Sequence, residues 1–123
     1  LADAQVDVLK TDVDGYDGLV LAGARRLVKA QRPVVLFEWH PRACAAAGTS
    51  ERLAFEVLRD SELFVFYTKY GVFSHVMHGV RNDDLDALAT VCRESKLPDW
   101  HYDVIAAPRS RNLSLPLLAA TGG

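Results

Sequence analysis

Three carboxylates and a glycine follow one apolar stretch in this chain: Asp12, Asp14, Gly15 and Asp17 close the segment Val6-Asp7-Val8-Leu9-Lys10-Thr11-Asp12-Val13-Asp14-Gly15-Tyr16-Asp17. A strand that ends in acids and then turns into a helix is how an open α/β sheet presents chemistry at its carboxyl edge. Asp12, at the expected strand tip, can orient a hydroxyl or help hold a cation. Lys10 shares its strand face and is read as an ion-pair partner that keeps Asp12 charged. A second apolar run closes on Glu38, and His40 follows with the same side-chain parity if the backbone stays extended. A carboxylate and an imidazole beside one cleft can act as a base and its orienting partner, because histidine titrates near neutral pH. The plainer readings are a turn capped by Asp12, a helix capped by Asp14 or Asp17, and an ion pair between Glu38 and Arg42. Asp12 is assigned to function and Asp17 to capping, and Glu38 and His40 stand as candidate catalytic residues.

These residues need a scaffold. Val6 to Thr11 reads as a buried strand, and Gly15 permits the tight turn after it. From Leu19 to Ala30, Val20, Ala24, Leu27 and Val28 return at helical spacing, with Arg25, Arg26 and Lys29 near the end, where the helix dipole favours cations. Pro33 opens the run Val34 to Trp39, nearly continuous in apolar residues, as a parallel strand covered on both faces requires. His40-Pro41-Arg42 is expected to begin an irregular loop, and Gly48-Thr49-Ser50 to cap a helix through Asp60. Leu63 to Thr68 predicts a strand that continues through Tyr70-Gly71 into a hairpin with Val72 to Met77. Asn82 and the acids Asp83, Asp84 and Asp86 predict a capped helix to about Ser95. His101 to Ala107 forms a final strand, and residues 109–123 are expected to fray. Strands alternating with helices imply a mainly parallel sheet with helices on both faces, formed by a single domain over residues 1–108.

Composition narrows the function. The chain has 123 residues, half of them apolar, and a net charge of −2. It is long enough to bury roughly two thirds of the surface its unfolded chain exposes. That charge offers no broad basic surface, which excludes nucleic acid and disfavours anionic partners. No apolar run is long enough to span a bilayer, so no membrane partner is expected. Cys44 and Cys92 lack metal-ligand spacing and are read as free thiols of a reducing, cytoplasmic compartment. His75, His78 and His101 form no metal-binding series, and no metal is expected. Trp39, Tyr67, Tyr70 and Trp100 could stack a substrate, but aromatic residues beside strands are more often core.

The ordered series of motifs resembles the carboxyl-terminal half of an FkbM-family methyltransferase, within the class I S-adenosylmethionine-dependent enzymes. Lys10-Thr11-Asp12-Val13-Asp14-Gly15 is similar to that family's Lys-x-Asp-x-Glu-Gly segment, and Leu21-Ala22-Gly23-Ala24 to its Leu-x-Gly-Ala step. Pro33 to Glu38, then Trp39-His40-Pro41, matches its proline-led strand, and Tyr102-Asp103-Val104-Ile105-Ala106-Ala107-Pro108 its last one. Asp14 and Asp17 stand where the family usually carries Glu, so each carboxylate reaches one methylene less far. The resemblance implies a partial Rossmann-like sheet, mostly parallel with an antiparallel last strand, in the order 3-2-1-4-5-7-6, of which this chain holds strands four to seven. It implies S-adenosylmethionine as cofactor, held in part by Asp12, Asp14 and Gly15, with Asp12, Glu38 and His40 catalytic in O-methyl transfer to a small-molecule or sugar hydroxyl. The family's glycine-rich cofactor loop has no counterpart here, so the chain is expected to be a fragment, inactive alone. Val6 to Thr11 would be an exposed edge that pairs with a missing amino-terminal half or with a second copy.

Two alternatives stay open. Asp12-Val13-Asp14-Gly15 also suggests a haloacid-dehalogenase-like phosphatase with Asp12 as nucleophile and Asp14 as acid, although Tyr16 replaces the expected Thr. The other is a non-catalytic interaction fragment completed by another polypeptide.

Overall fold

The computed structural model describes residues 5–69, 72–96 and 100–109. The expected fraying tail, beyond Arg109, and the Tyr70-Gly71 turn lie outside them. β1 (Val8–Thr11) leads through a tight turn to α1 (Asp17–Gly23) and α2 (Arg25–Gln31), and β2 (Val34–Trp39) is followed by α3 (Pro41–Ala47) and α4 (Leu53–Val57). The hairpin β3 (Ser61–Lys69) and β4 (Val72–His78), α5 (Asn82–Glu94) and β5 (Tyr102–Pro108) complete the order. No helix among the described residues is long and apolar enough to cross a membrane.

The five strands form one sheet in the order β1-β2-β5-β3-β4. Its first four neighbours keep the expected 4-5-7-6 order, with β5 inserted between β2 and β3. The sheet is nonetheless mixed rather than mostly parallel: β1 and β2 pair in parallel, and the other three pairings are antiparallel. The reason is local. β5 runs against both of its neighbours, and the hairpin adds β4 as a further reversed strand.

Among the described residues, helices cover one face of the sheet and not the other. Val35, Phe37 and Trp39 alternate along β2, join Tyr102, Val104 and Ala106 of β5, and meet Leu21, Phe55, Leu58, Leu85 and Ala89 from the helices. Each fully buried Val, Leu or Phe among them contributes about 1.5–3 kcal/mol. Phe55 anchors the contact, edge-on to Phe37 at 5.5 Å and to Trp39 at 4.8 Å. The Trp39 indole N–H donates to the Glu51 carbonyl and the Tyr102 hydroxyl to that of Leu88, so both rings are satisfied as core. On the opposite face Phe64, Phe66 and Ala107, with Ile105, form a smaller cluster that includes no described helix.

Several local expectations change. The helix expected over Leu19 to Ala30 is two helices, because the Ala24 N–H is shared between the carbonyls of Val20 and Leu21 and the chain turns after Gly23. The loop expected at His40-Pro41-Arg42 is α3. Pro41 occupies its first position, where a missing N–H costs nothing, the alanine run favours helix, and Gly48 ends it at φ +72°. Ser50 therefore precedes only the short α4. The N-cap of α5 is Arg81, whose N–H donates to the Asp84 carboxylate at 2.8 Å.

Asp17 does not cap α1. It is the first residue of that helix, buried, and accepts a 2.5 Å hydrogen bond from the Thr11 hydroxyl, which ties the end of β1 to the start of α1. Removing that donor strands a buried carboxylate oxygen. Thr11→Val is expected to cost about 2 kcal/mol, read from the urea midpoint at unchanged m-value.

Candidate active site

Asp12 lies one residue past the last β1–β2 pair, Thr11 with Phe37, which carries it beside Glu38. On the other edge of β2, Glu38 pairs with Asp103 of β5. Three acids thus stand in a row at one end of three neighbouring strands. With Lys10, Leu36, Phe66 and Ile105 they line a pocket of about 310 Å³ on the face away from the helices. Lys10 forms no ion pair with Asp12 among the described residues; it shares the pocket only.

Glu38 is strongly perturbed. Its side chain is 21 % exposed. Burial pushes its carboxyl up from 4.5 to about 7, a hydrogen bond with Asp12 and the charges of Asp12 and Asp103 add to the rise, and His101 opposes it. His101 Nδ1 lies 3.5 Å from Glu38 Oε1 and its Nε2 lies 3.9 Å from Asp103 Oδ1, so the imidazole sits between two acids. The effect is a carboxyl that exchanges a proton near neutral pH, where general acid–base catalysis is most effective.

The turn after β1 is built from two left-handed residues, Asp14 at φ +47° and Gly15 at φ +94°. Aspartate tolerates that region and glycine is at home in it. Gly15 is also where α3 comes closest. A Cβ there would meet the Ala43 carbonyl carbon at 2.5 Å, and the Thr49 hydroxyl donates to the Gly15 carbonyl at 2.7 Å. The space over its Cα is filled by the first turn of α3, which gives Gly15 a packing role in fixing the acid turn.

His40 does not continue the strand. It is the N-cap of α3, and its Nδ1 accepts the Ala43 N–H at 3.2 Å. That bond requires an unprotonated Nδ1. Its ring stacks on His101 with centroids 6.1 Å apart, so it borders the acid row through His101. Arg42, weighed as a partner for Glu38, sends its guanidinium to the Arg93 and Ser95 carbonyls at the end of α5.

Asp12, Asp14 and Glu38 each bring one carboxylate oxygen within 4.8 Å of the others. Asp12 and Asp14 are exposed to water, and Glu38 is partly buried. Cys44 and Cys92 are free and buried, and burial pushes both thiols up, away from the reactive thiolate.

His101 and Asp103 are the residues the sequence reading missed. Their signal was the terminal-strand motif itself: once β5 is placed beside β2, Asp103 must face Glu38.

The family comparison bears on the same segment. The model described as Methyltransferase FkbM domain matches residues 1–75, which include β1, the acid turn and β2. The chain belongs to the FkbM methyltransferase family. Neither a curated protein nor a solved structure matches it. Methyl transfer is thereby the general chemistry of this FkbM domain.

Proposed function

We propose that this FkbM chain forms the acceptor-side wall of an S-adenosylmethionine-dependent O-methyltransferase, in which Glu38 takes the proton from the hydroxyl of a small molecule or sugar. The observation that carries this reading is the Asp12–Glu38–Asp103 row, with Glu38 half-sequestered over an apolar pocket and poised near neutral pH. The donor set suits the cofactor: Asp12 and Asp14 are exposed carboxylates on the rim, complementary to a cationic sulfur and an ammonium group. When bound, the cofactor supplies a methyl carbon made electrophilic by that sulfur. The chain's own part is alignment and proton transfer. As the acceptor oxygen becomes an ether oxygen, its proton passes to the Glu38 carboxylate. Once Glu38 has taken that proton, its carboxyl donates a hydrogen bond to the Asp12 carboxylate, which stabilises the protonated product state, and His101 is a positioning residue that biases Glu38 toward ionisation beforehand.

Among the described residues β1 pairs only with β2, and Val8 is 59 % exposed. An edge left open among the described residues, beside a sheet face that no described helix covers, fits a site completed by further polypeptide docked along β1. The chain alone is therefore expected to bind S-adenosylmethionine with a dissociation constant above about 100 µM. Submicromolar binding in titration calorimetry would overturn the requirement for completion.

In the complete enzyme the rate of hydroxyl methylation should rise tenfold per pH unit below about 7 and level off above it, because Glu38 must be ionised to act. His101→Ala removes the one contribution that lowers the Glu38 value. Its ascending limb is expected at higher pH, with the circular dichroism spectrum unchanged. A profile flat from pH 5 to 9 in the unaltered enzyme, with chemistry shown to limit the rate, would remove Glu38 from this role.

A further inference from the structure

At the opposite end of the sheet, where β2 and β3 begin and β5 ends, a cleft of about 780 Å³ opens between α2, the end of α4 and the strand termini. Five cations line it, drawn from three separate segments: Arg25, Lys29 and Arg32 from α2 and its cap, Arg59 from the turn after α4, and Arg109 from the end of β5. Only Glu56 and Asp60 oppose them there. The surplus is three positive charges on a chain whose net charge is −2, so the average composition conceals it. None of the five cations forms an ion pair among the described residues, whereas Arg52, Arg81 and Arg93 each do. Val28, Val57 and Pro108 give the cleft an apolar floor.

Unpaired like charges held together by a fold repel one another, and the arrangement is relieved by an anion that bridges them. Guanidinium forks favour phosphate oxygens, bound two at a time. The volume falls within the usual range for small-molecule pockets, about 300–1,000 Å³, and the floor suits an apolar or ring body. We propose that this cleft binds a small organic diphosphate or triphosphate, with Arg32 and Arg59 on the phosphates and the apolar floor under the organic portion. The site is separate from the Glu38 pocket and does not depend on the methyltransfer reading.

The test is titration calorimetry of the chain with inorganic pyrophosphate, ADP and adenosine at low and at physiological salt. Millimolar or tighter binding of both pyrophosphate and ADP is expected, with ADP the tighter, adenosine silent, and affinity falling as salt rises. Arg32→Ala with Arg59→Ala should weaken ADP at least tenfold, while Arg26→Ala, on the same helix but outside the cleft, should change it less than twofold. ADP binding no tighter than pyrophosphate would reduce the site to a simple anion trap and overturn the organic ligand. Equal losses from Arg26→Ala, or tighter binding to a short DNA duplex or to anionic vesicles than to ADP, would overturn the proposal. So would no binding at all by folded chain.

Discussion

Gly15→Ala is expected to destabilise the chain by about 4 kcal/mol or more, enough to leave much of a marginally stable domain unfolded. Two costs act together. A Cβ at φ +94° is strained whatever its surroundings, by about 1–3 kcal/mol. It would also stand 2.5 Å from one backbone atom of Ala43 and 2.8 Å from the Cys44 nitrogen, atoms of a helix that cannot yield as a flexible side chain can. Relief requires α3 to withdraw, and α3 is held by the Thr49 bond to Gly15 and by the Arg42 bonds to the end of α5. A denaturant melt against the unaltered chain, read at 25 °C, checks the size of the loss. Gly48→Ala is the internal comparison: it shares a positive φ of +72°, but no neighbour lies within 4 Å of its Cβ, so its cost should be about 1 kcal/mol.

Glu38→Gln is expected to lower methylation by about 10²–10⁴-fold and to abolish the ascending limb near pH 7. The amide keeps the size of the carboxyl but cannot accept the hydroxyl proton. The same substitution should act on stability with the opposite sign. The folded-state value is raised from 4.5 to about 7, so the protonated form is the one the fold prefers. Its stabilisation is complete below 4.5 and is lost as the pH rises through 7. Glutamine avoids that loss, and the variant should be more stable than the parent by about 1–2 kcal/mol at pH 8, after allowance for partial exposure, and nearly equal at pH 4.5. A residue with a merely structural role would not gain stability while losing rate.

The positions of β1, β2 and their terminal acids were legible in the sequence, because an apolar run followed by Asp12 or Glu38 depends on local pattern alone. So was Gly15, whose neighbours demanded a tight turn. The segment after Trp39 was less legible. A histidine is an uncommon N-cap, and His40-Pro41 reads as a loop until Pro41 is recognised as a first helical residue. The near-continuous apolar run of β2 suggested cover on both faces, yet alternate residues bury fully and the others only in part. Asp17 carried the signature of a cap, and only the approach of Thr11 across the turn shows that its carboxylate faces inward. Most consequential was Glu38 itself. Its neutral-pH carboxyl arises from burial and from Asp103 and His101, which lie more than sixty residues away in sequence and arrive only when β5 pairs antiparallel with β2. No periodicity in either segment encodes that meeting.

The most direct measurement of the central claim is the titration of the Glu38 side-chain carboxyl by ¹³C NMR, assigned by its loss in Glu38→Gln. A midpoint near pH 7, moving down in Asp103→Asn, is the expected result. A midpoint near the ordinary 4.5, unmoved by Asp103→Asn, would contradict the account and leave the acid row without a base.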